Sequence, residues 1–565
     1  MKIVKNNNGI FSYGLESQFT PELLVFCQRI RNSVGAKEFN WEKDSKLWGF
    51  NKIEIVEMIK NRFPSVELDP GILLRYEMYQ TELELDVMKV AQAEVIKNAT
   101  DSNIEIKNVK GELYPYQKVG VEFFINNRGR AILADTMGLG KTLQSLAYVA
   151  HTGHSKTLVV CPASMKYTWE AEAIKWTKLK PFVITTKDVL DIDSYNKHDV
   201  FVINYDILKK NFKALSALRF DCMVCDEFHY IKNRTAQRTK AIMALATKIP
   251  HILLLSGTPM LSRPIELYTG LKIMDPFTWG DYRGYSIRYC DGHQGYWGWD
   301  EKGASNIPEL KSRISRYFLR RLKTEVLKDL PPKQHTDIAV DLSPEKQREY
   351  NLAVDSFRLY LKQIKKASDK KILKALQAEK LVKLQELRKI TTDGKTASAI
   401  QTIQDIIDSG QKVVVFSVYN EPLEVMLKKF GKKAVTITGK TDTKERGNIV
   451  KKFQEDDSVQ VFLGGTKSAG VGITLTSATN VLFLDYSWVP ADHEQAEDRI
   501  HRIGQMADVV NIYQLYSKGT IDDYMRQLLS GKKKIFNQLI EKGDIKTPTH
   551  STHLIRDLVK MIEEN

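Results

Sequence analysis

From about residue 113 the chain alternates short uninterrupted apolar runs with longer stretches whose apolar residues return every third or fourth position. The runs are Ala131-Ile132-Leu133-Ala134, Thr157-Leu158-Val159-Val160-Cys161, Val200-Phe201-Val202-Ile203, Met223-Val224-Cys225 and Ile252-Leu253-Leu254-Leu255. A strand covered by helices on both faces has no polar side, so such runs predict buried parallel strands. The alternation predicts an α/β lobe over 111–275. It gives way to a helical, basic pattern over 276–394. From 395 to 515 it resumes as a second α/β lobe, with strands at Val413-Val414-Val415-Phe416, Ala434-Val435-Thr436-Ile437, Val459-Gln460-Val461-Phe462-Leu463 and Val481-Leu482-Phe483-Leu484. A helical tail is expected over 516–565 and a polar helical connector over 81–110.

Residues 1–80 form a separate pattern, that of a small α+β module. Thr20-Pro21-Glu22 is a helix start, with Thr20 as N-cap and Pro21 at the first helical position. Phe39-Asn40-Trp41 and Leu47-Trp48-Gly49-Phe50 flank a polar break and read as a β-hairpin. A second helix carries Ile53, Val56 and Ile59 and stops before Pro64. Trp41 and Trp48, with Arg29 and Arg31, have the chemistry to stack on bases and hold phosphates. The same tryptophans equally suit a mini-core.

The candidate chemistry lies where strands end. Asp135-Thr-Met-Gly-Leu-Gly-Lys-Thr142 joins the first strand of the main lobe to a helix. Gly138 and Gly140 let the backbone approach an anion, and the helix start offers free N–H groups. Lys141 would set its charge on the β and γ phosphates of ATP, and the Thr142 hydroxyl would ligate Mg²⁺. The general phosphate-loop pattern has glycine where this chain has Asp135, so on this stretch alone an ordinary strand–turn–helix connection stays open. Asp226-Glu227-Phe228-His229 ends another buried strand. There Asp226 would hold Mg²⁺ through water, and Glu227 would orient and deprotonate the attacking water. Ser256 and Thr258 end the next strand, offering hydroxyls that could link the nucleotide site to a moving part. In the second lobe, Arg499 and Arg502 are three apart, so on a helix they share a face and can reach one anion as arginine fingers.

Charge sharpens the list of partners. Lys and Arg number 84 against 69 Asp and Glu, a net of +15, which favours a polyanion such as nucleic acid. Ile314 to Asp329 carries Arg316, Arg320, Arg321, Lys323 and Lys328, and Lys362 to Lys389 is lysine-rich. Each reads as a solvated face or as a surface along a phosphate backbone. Five cysteines form no disulfide framework, which fits a reducing compartment. Cys222 and Cys225 fall on a strand, where their spacing points them to opposite faces rather than at one metal. The start has no apolar signal core and no stretch approaches membrane-spanning length. The expectation is a soluble, intracellular, monomeric protein, cytoplasmic if bacterial or viral and nuclear if eukaryotic.

These motifs in this order over 111–520 resemble the superfamily-two helicase engine, specifically the Swi/Snf-type DNA translocases. The resemblance rests on Asp135-x-Met137-Gly-Leu-Gly-Lys-Thr, Asp226 to His229, Ser256 to Pro259, Gly470-Val-Gly472-Ile, and Gln495 to Gln505 with its ending Arg-Ile-His-Arg-Ile-Gly-Gln. It implies two tandem RecA-like parallel-sheet lobes with helical protrusions and a C-terminal brace, and ATP-driven, Mg²⁺-dependent movement on double-stranded DNA. It also implies that Gln117 contacts adenine, that Asp135, Met137 and Gly472 belong to the nucleotide site, and that His229, Ser256, Thr258 and Gln495 couple the lobes. By the same resemblance Pro162, Ser164, Asn204, Tyr205, Ser417, Thr466 and Lys467 lie along the DNA backbone. Phe228 departs from the family's commoner Ala or Gly, with hydrolysis expected to survive. Phe19-Thr-Pro-Glu-Leu23 and Trp41 to Phe50 resemble the HARP domain of annealing helicases. That likeness implies recognition of branched DNA, with a single-strand contact by the module, and strand annealing or fork reversal in replication, repair or recombination. Alternatives are a translocase that displaces or remodels DNA-bound protein, one acting in defence against foreign DNA, and a non-enzymatic clamp switched by ATP. The clamp would need none of Glu227, Arg499 and Arg502.

Overall fold

The computed structural model describes residues 1–6, 11–34, 39–51, 53–81, 95, 99, 101–186, 191–257, 263–295, 298–327, 329–366, 370–466, 472–488, 490–527 and 562. The chain divides into a unit over 1–94 and a larger one over 95–565.

The small unit is a five-stranded sheet in the order Phe39–Glu42, Leu47–Phe50, Tyr13–Glu16, Lys2–Lys5, Glu67–Leu68. The predicted hairpin forms, with Trp41 opposite Trp48. The predicted helix runs Pro21–Val34, and the Thr20 Oγ1 accepts the Leu23 N–H at 3.2 Å, the N-cap bond its sequence called for. Three strands, Lys2–Lys5, Tyr13–Glu16 and Glu67–Leu68, lay outside the sequence expectation. They are too short to show a period, and pairing with each other and with Leu47–Phe50 is what orders them. Leu23, Cys27 and Ile30 from one helix and Ile55, Val56 and Ile59 from the other are buried in one core with Phe39, Trp48 and Phe50. Each large apolar side chain so buried contributes about 1.5–3 kcal/mol, which suffices for a core of this size.

In the larger unit the first lobe is a seven-stranded parallel sheet. Its order is Phe318–Leu319, Arg130–Leu133, His251–Leu255, Cys222–Asp226, Thr157–Cys161, Val200–Asn204, Pro181–Val183. The second lobe is a six-stranded parallel sheet ordered Lys333–Val340, Val510–Ser517, Asn480–Phe483, Val413–Ser417, Val461–Gly465, Ala434–Ile437. Of the strands predicted from apolar runs, Thr157–Cys161, Val200–Asn204, Cys222–Asp226, Val413–Ser417 and Val461–Gly465 lie inside these sheets and are buried throughout, while Ala434–Ile437 is the half-buried edge of the second. The stretch from 276 to 394, read as helical, differs. It contributes the edge strand Phe318–Leu319 to the first sheet and Lys333–Val340 to the second, so one connector is stitched into both lobes. Lys333–Val340 carries one fully buried residue and pairs along its whole length, so its order comes from partner backbone rather than an apolar pattern. The helix Lys370–Asp408 runs through the expected boundary at 394. Most of the predicted C-terminal brace lies outside the described residues. Among the described residues no helix is long and apolar enough to cross a membrane.

Candidate active site

Strand register builds the first half of the site. Asp226 pairs with Leu255 and Leu255 with Leu133, so the loops after these strands leave the sheet side by side at its carboxyl edge. Beyond Leu133 the backbone turns through Gly138 and Gly140 at φ +84° and +74°, then enters the helix Lys141–Thr152. The left-handed backbone at Gly140 strains any other residue there, and a Cβ would also lie 2.4 Å from Gln117 Nε2 and push that side chain aside. Lys141 Nζ donates to the carbonyls of Asp135 at 2.8 Å and Thr136 at 3.3 Å. Burial pulls its pKa down, against the opposing pull of Glu227, Asp135 and Asp226.

Asp135, taken by resemblance as part of the nucleotide site, is a correction. Its carboxylate is fully buried and does not line the cleft, accepting Arg321 Nε at 3.0 Å and Nη2 at 2.5 Å. Arg321 also donates to Gln144 Oε1 at 2.9 Å and to the Tyr116 carbonyl. The aspartate that replaces the usual glycine therefore pins the base of the loop to the connector; its carbonyl accepts Lys141 directly, and its carboxylate acts on that lysine only through its charge. Arg320 donates to the carbonyls of Ala134 and Gly257, and Arg316 pairs with Asp275. The described cations of this segment are thus internal, neither a solvated face nor a track for DNA; Lys328 lies outside the described residues.

Asp226 and Glu227 behave as two different acids. The Asp226 carboxylate accepts Trp169 Nε1 at 2.9 Å, and burial together with the Glu227 charge raises its pKa to about 6. Glu227 holds a left-handed backbone, φ +52° and ψ +54°, a conformation non-glycine residues adopt at a cost. That twist turns its Oε2 toward Ser256 Oγ, which donates at 3.0 Å, and His229 Nδ1 at 3.2 Å. Burial alone would raise its pKa, but those contacts and Lys141 outweigh it and hold Glu227 below the usual carboxylate range. A carboxylate kept ionised and aimed into a cleft has the chemistry of a general base. Phe228 points away into the lobe core, where Gly270 leaves it room: a Cβ there would lie 2.9 Å from its ring.

The second lobe supplies the arginines, with one change from expectation. The helix ends at Glu497, and Arg499 and Arg502 stand on the turns after it. Past Glu497 the chain tightens into turns, Arg499 N donating to the Ala496 carbonyl and Ile500 N to the Glu497 carbonyl, while the Arg499 carbonyl accepts Leu475 N and the His501 carbonyl accepts Lys323. Arg499 Nε is held by the Gln495 carbonyl at 3.2 Å, and its Nη2 reaches Met137 Sδ across the cleft at 3.7 Å. Arg502 Nη1 donates to Thr474 Oγ1 at 2.9 Å. Burial and the neighbouring Arg502 lower the Arg499 pKa to about 10, against the opposing pull of Asp498, Glu227 and Asp226. Gly472, at φ +82°, accepts Thr168 Oγ1 from the first lobe at 3.3 Å, and a Cβ on it would strike Met165.

One cleft of about 420 Å³ collects these groups. Gln117, Met137, Gly138, Gly140, Lys141, Thr142, Asp226 and Glu227 line it from one lobe, and Gly472, Arg499 and Arg502 from the other. Gln117 is closed onto the loop, donating to the Leu139 carbonyl at 3.3 Å and accepting the Tyr114 N–H. The donor set suits a magnesium nucleotide: a lysine and helix start for phosphates, a hydroxyl and a carboxylate for a hard cation.

The residues assigned to the DNA backbone fare unevenly. Ser164 is half-buried on the turn Ala163–Met165, just after the buried Pro162. Tyr205 is a correction: it is buried, and its hydroxyl donates to the Asp226 carbonyl at 2.8 Å, so it supports the acidic loop. Ser417 is a second, with its hydroxyl donating to the buried Asp485 at 2.6 Å. Asn204 and Thr466 are buried at strand ends, and Lys467 and Thr258 lie outside the described residues. In the small unit Trp48 is core, stacked on Phe39 with centroids 5.4 Å apart, whereas Trp41 is 41% exposed. Of the two tryptophans, the aromatic available for stacking is therefore Trp41. Sequence reasoning missed Trp169 and Asp498, and read Arg321 only as part of a basic run. It placed Lys323 in a basic run whose acidic partners lie far away in the chain.

Two family models match in tandem: an SNF2-related domain over residues 116–396 and a helicase conserved C-terminal domain over 398–504. Among curated proteins the chain is 33% identical over 530 residues to the Xenopus laevis SWI/SNF-related matrix-associated actin-dependent regulator of chromatin subfamily A-like protein 1. That alignment covers 91% of this chain and 53% of the relative. It is 32% identical over 442 residues to the Mus musculus DNA annealing helicase and endonuclease ZRANB3, covering 76% of this chain and 40% of the relative. The chain thus spans about half the length, or less, of these relatives. Among solved structures it is similar to the Sulfolobus solfataricus SWI2/SNF2 ATPase core in complex with dsDNA, at 29% identity and a TM-score of 0.38, covering 78% of this chain and 96% of that one. With both domains matched in order across the two lobes that form the cleft, the chain belongs to the SNF2-related, Swi/Snf-type helicase family.

Proposed function

We propose that this protein is an ATP-driven translocase on double-stranded DNA that remodels branched DNA, annealing strands and reversing forks in replication, repair or recombination. The observation that carries the reading is the convergence of Lys141, Thr142 and Glu227 with Arg499 and Arg502 in one cleft whose walls belong to different lobes. A site split between lobes is complete only when they meet, so hydrolysis and lobe movement become one event. The annealing-helicase relatives and the basic surplus favour DNA as the track.

In this reading Lys141 leaves its two loop carbonyls for the β and γ phosphates. Thr142 and Asp226 would hold Mg²⁺, which neutralises phosphate charge when bound. Glu227, already ionised and oriented by Ser256 and His229, takes the proton of the attacking water. Arg499 and Arg502, two confined cations facing each other, gain an anion between them, and charge developing on the γ phosphate strengthens that gain. Gln117 reads the adenine edge. Trp41 offers its ring to an unpaired base.

Translocation is tested by displacement of a third strand from a DNA triplex, which needs movement on duplex without strand separation. The reading predicts ATP-dependent release by the wild-type chain and none by Glu227→Gln. It also predicts conversion of a fork mimic into annealed products. Triplex release without fork conversion would favour displacement of bound protein, and no release in either assay would favour a clamp.

A further inference from the structure

Lys323 is the buried cation that the mechanism above leaves unused. It opens the short helix Lys323–Val326 in the connector, is 7% exposed, and sits between the lobes. Its Nζ donates to Asp498 Oδ1 at 2.6 Å and to the His501 carbonyl at 2.6 Å. Those acceptors flank Arg499 on one side and Arg502 on the other. The same side-chain tip also lies against the phosphate loop: a Cβ on Gly138 would stand 3.1 Å from Lys323 Cε, 3.2 Å from its Nζ and 3.3 Å from Arg502 Cγ.

Stability does not account for this placement. Asp498 already has a partner in Lys333 at 3.3 Å, and Lys333 is further held by Glu497 at 2.9 Å. Adding a second buried ammonium to a carboxylate that is already paired carries a desolvation cost with little net return. What Lys323 adds is geometric. It ties the arginine turn of one lobe to the phosphate loop of the other.

We propose that Lys323 is a positioning residue for hydrolysis, docking the Arg499–Arg502 turn onto the phosphate loop; this rests on the ATPase reading above. Burial lowers the Lys323 pKa to about 8. The groups facing it do not titrate there: Asp498 is held low, Lys333 is held above its ordinary value, Arg499 lies at about 10, His501 is pulled below its ordinary value by burial, and Arg502 is an arginine. A proton lost from Lys323 removes the tie, so turnover should decline as pH rises through about 8.

The test compares the full chain with Lys323→Gln, Lys323→Arg and Asp498→Asn, using ATP hydrolysis on duplex DNA and binding of ADP with and without aluminium fluoride. Lys323→Gln should lower kcat roughly 100-fold, the scale of a small misplacement of a catalytic group, with KM and ADP affinity little changed. It should also lose the extra tightness conferred by aluminium fluoride, a mimic of the transferring phosphoryl group, and the alkaline decline. Lys323→Arg should restore part of kcat and move the decline to higher pH. The double variant with Asp498→Asn should be no slower than the worse single variant, since one tie is lost in either case. Because Asp498 keeps Lys333 in Lys323→Gln, its melting temperature should stay close to wild type. A Lys323→Gln chain with wild-type kcat, or one whose ADP affinity falls as steeply as its rate, overturns the proposal. A wild-type chain without ATPase activity would instead overturn the parent reading.

Discussion

Glu227 shows how much a single residue can carry. Its left-handed backbone turns the carboxylate onto Ser256 and His229, and that pairing rather than exposure keeps it ionised. Glu227→Gln should retain ATP binding while hydrolysis falls by about 100-fold or more, the usual range for a general base. Equilibrium binding of a fluorescent ATP analogue beside steady-state turnover separates the two; equal losses in both would remove Glu227 from that role. Lys141→Ala should lose turnover together with tight nucleotide binding. Asp135 makes the opposite case, its carboxylate being spent on Arg321. Arg321→Ala strands a buried charge and should cost about 3–5 kcal/mol of stability, read by denaturant melts. Asp135→Asn should likewise show its main loss in the melts, and a variant of normal stability that binds no nucleotide would return Asp135 to the site.

At the scale of elements, the small unit offers a direct test. Removing residues 1–80 should erase a preference for forks over plain duplex while duplex-stimulated hydrolysis persists; equal losses on both substrates would contradict a recognition role. Trp41→Ala should reproduce part of that effect, and Trp48→Ala should instead destabilise the unit by about 3–5 kcal/mol, as loss of a core aromatic does. What could be read from the sequence follows the same division. Central strands declared themselves because burial on both faces leaves no polar position, as in Thr157–Cys161 and Val413–Ser417. Edge strands such as Phe318–Leu319 and Lys333–Val340 did not, since a partner backbone orders them. That Lys141, Glu227 and the arginines would share one cleft could be read from short motifs, Lys141 and Glu227 after strands and the arginines three apart after a helix. Arg321, Lys323 and the hydroxyls of Tyr205 and Ser417 were not legible, because partners that decide their roles lie at positions spacing cannot reveal. Phe228 is legible only with Gly270, the distant glycine that makes room for it.

At the scale of the whole molecule, a connector that belongs to both sheets joins the two lobes, and the chemistry of the cleft is divided between them. Each lobe alone holds only half a catalyst, and the net charge of +15 supplies attraction to a polyanionic track. The most direct measurement is the ATP hydrolysis rate of the full chain at one fixed salt concentration, with no nucleic acid, single-stranded DNA, duplex DNA, a replication-fork mimic and RNA in turn. The account predicts a low basal rate, strong stimulation by duplex and the strongest by the fork. A rate indifferent to DNA, or one raised most by RNA, would contradict it.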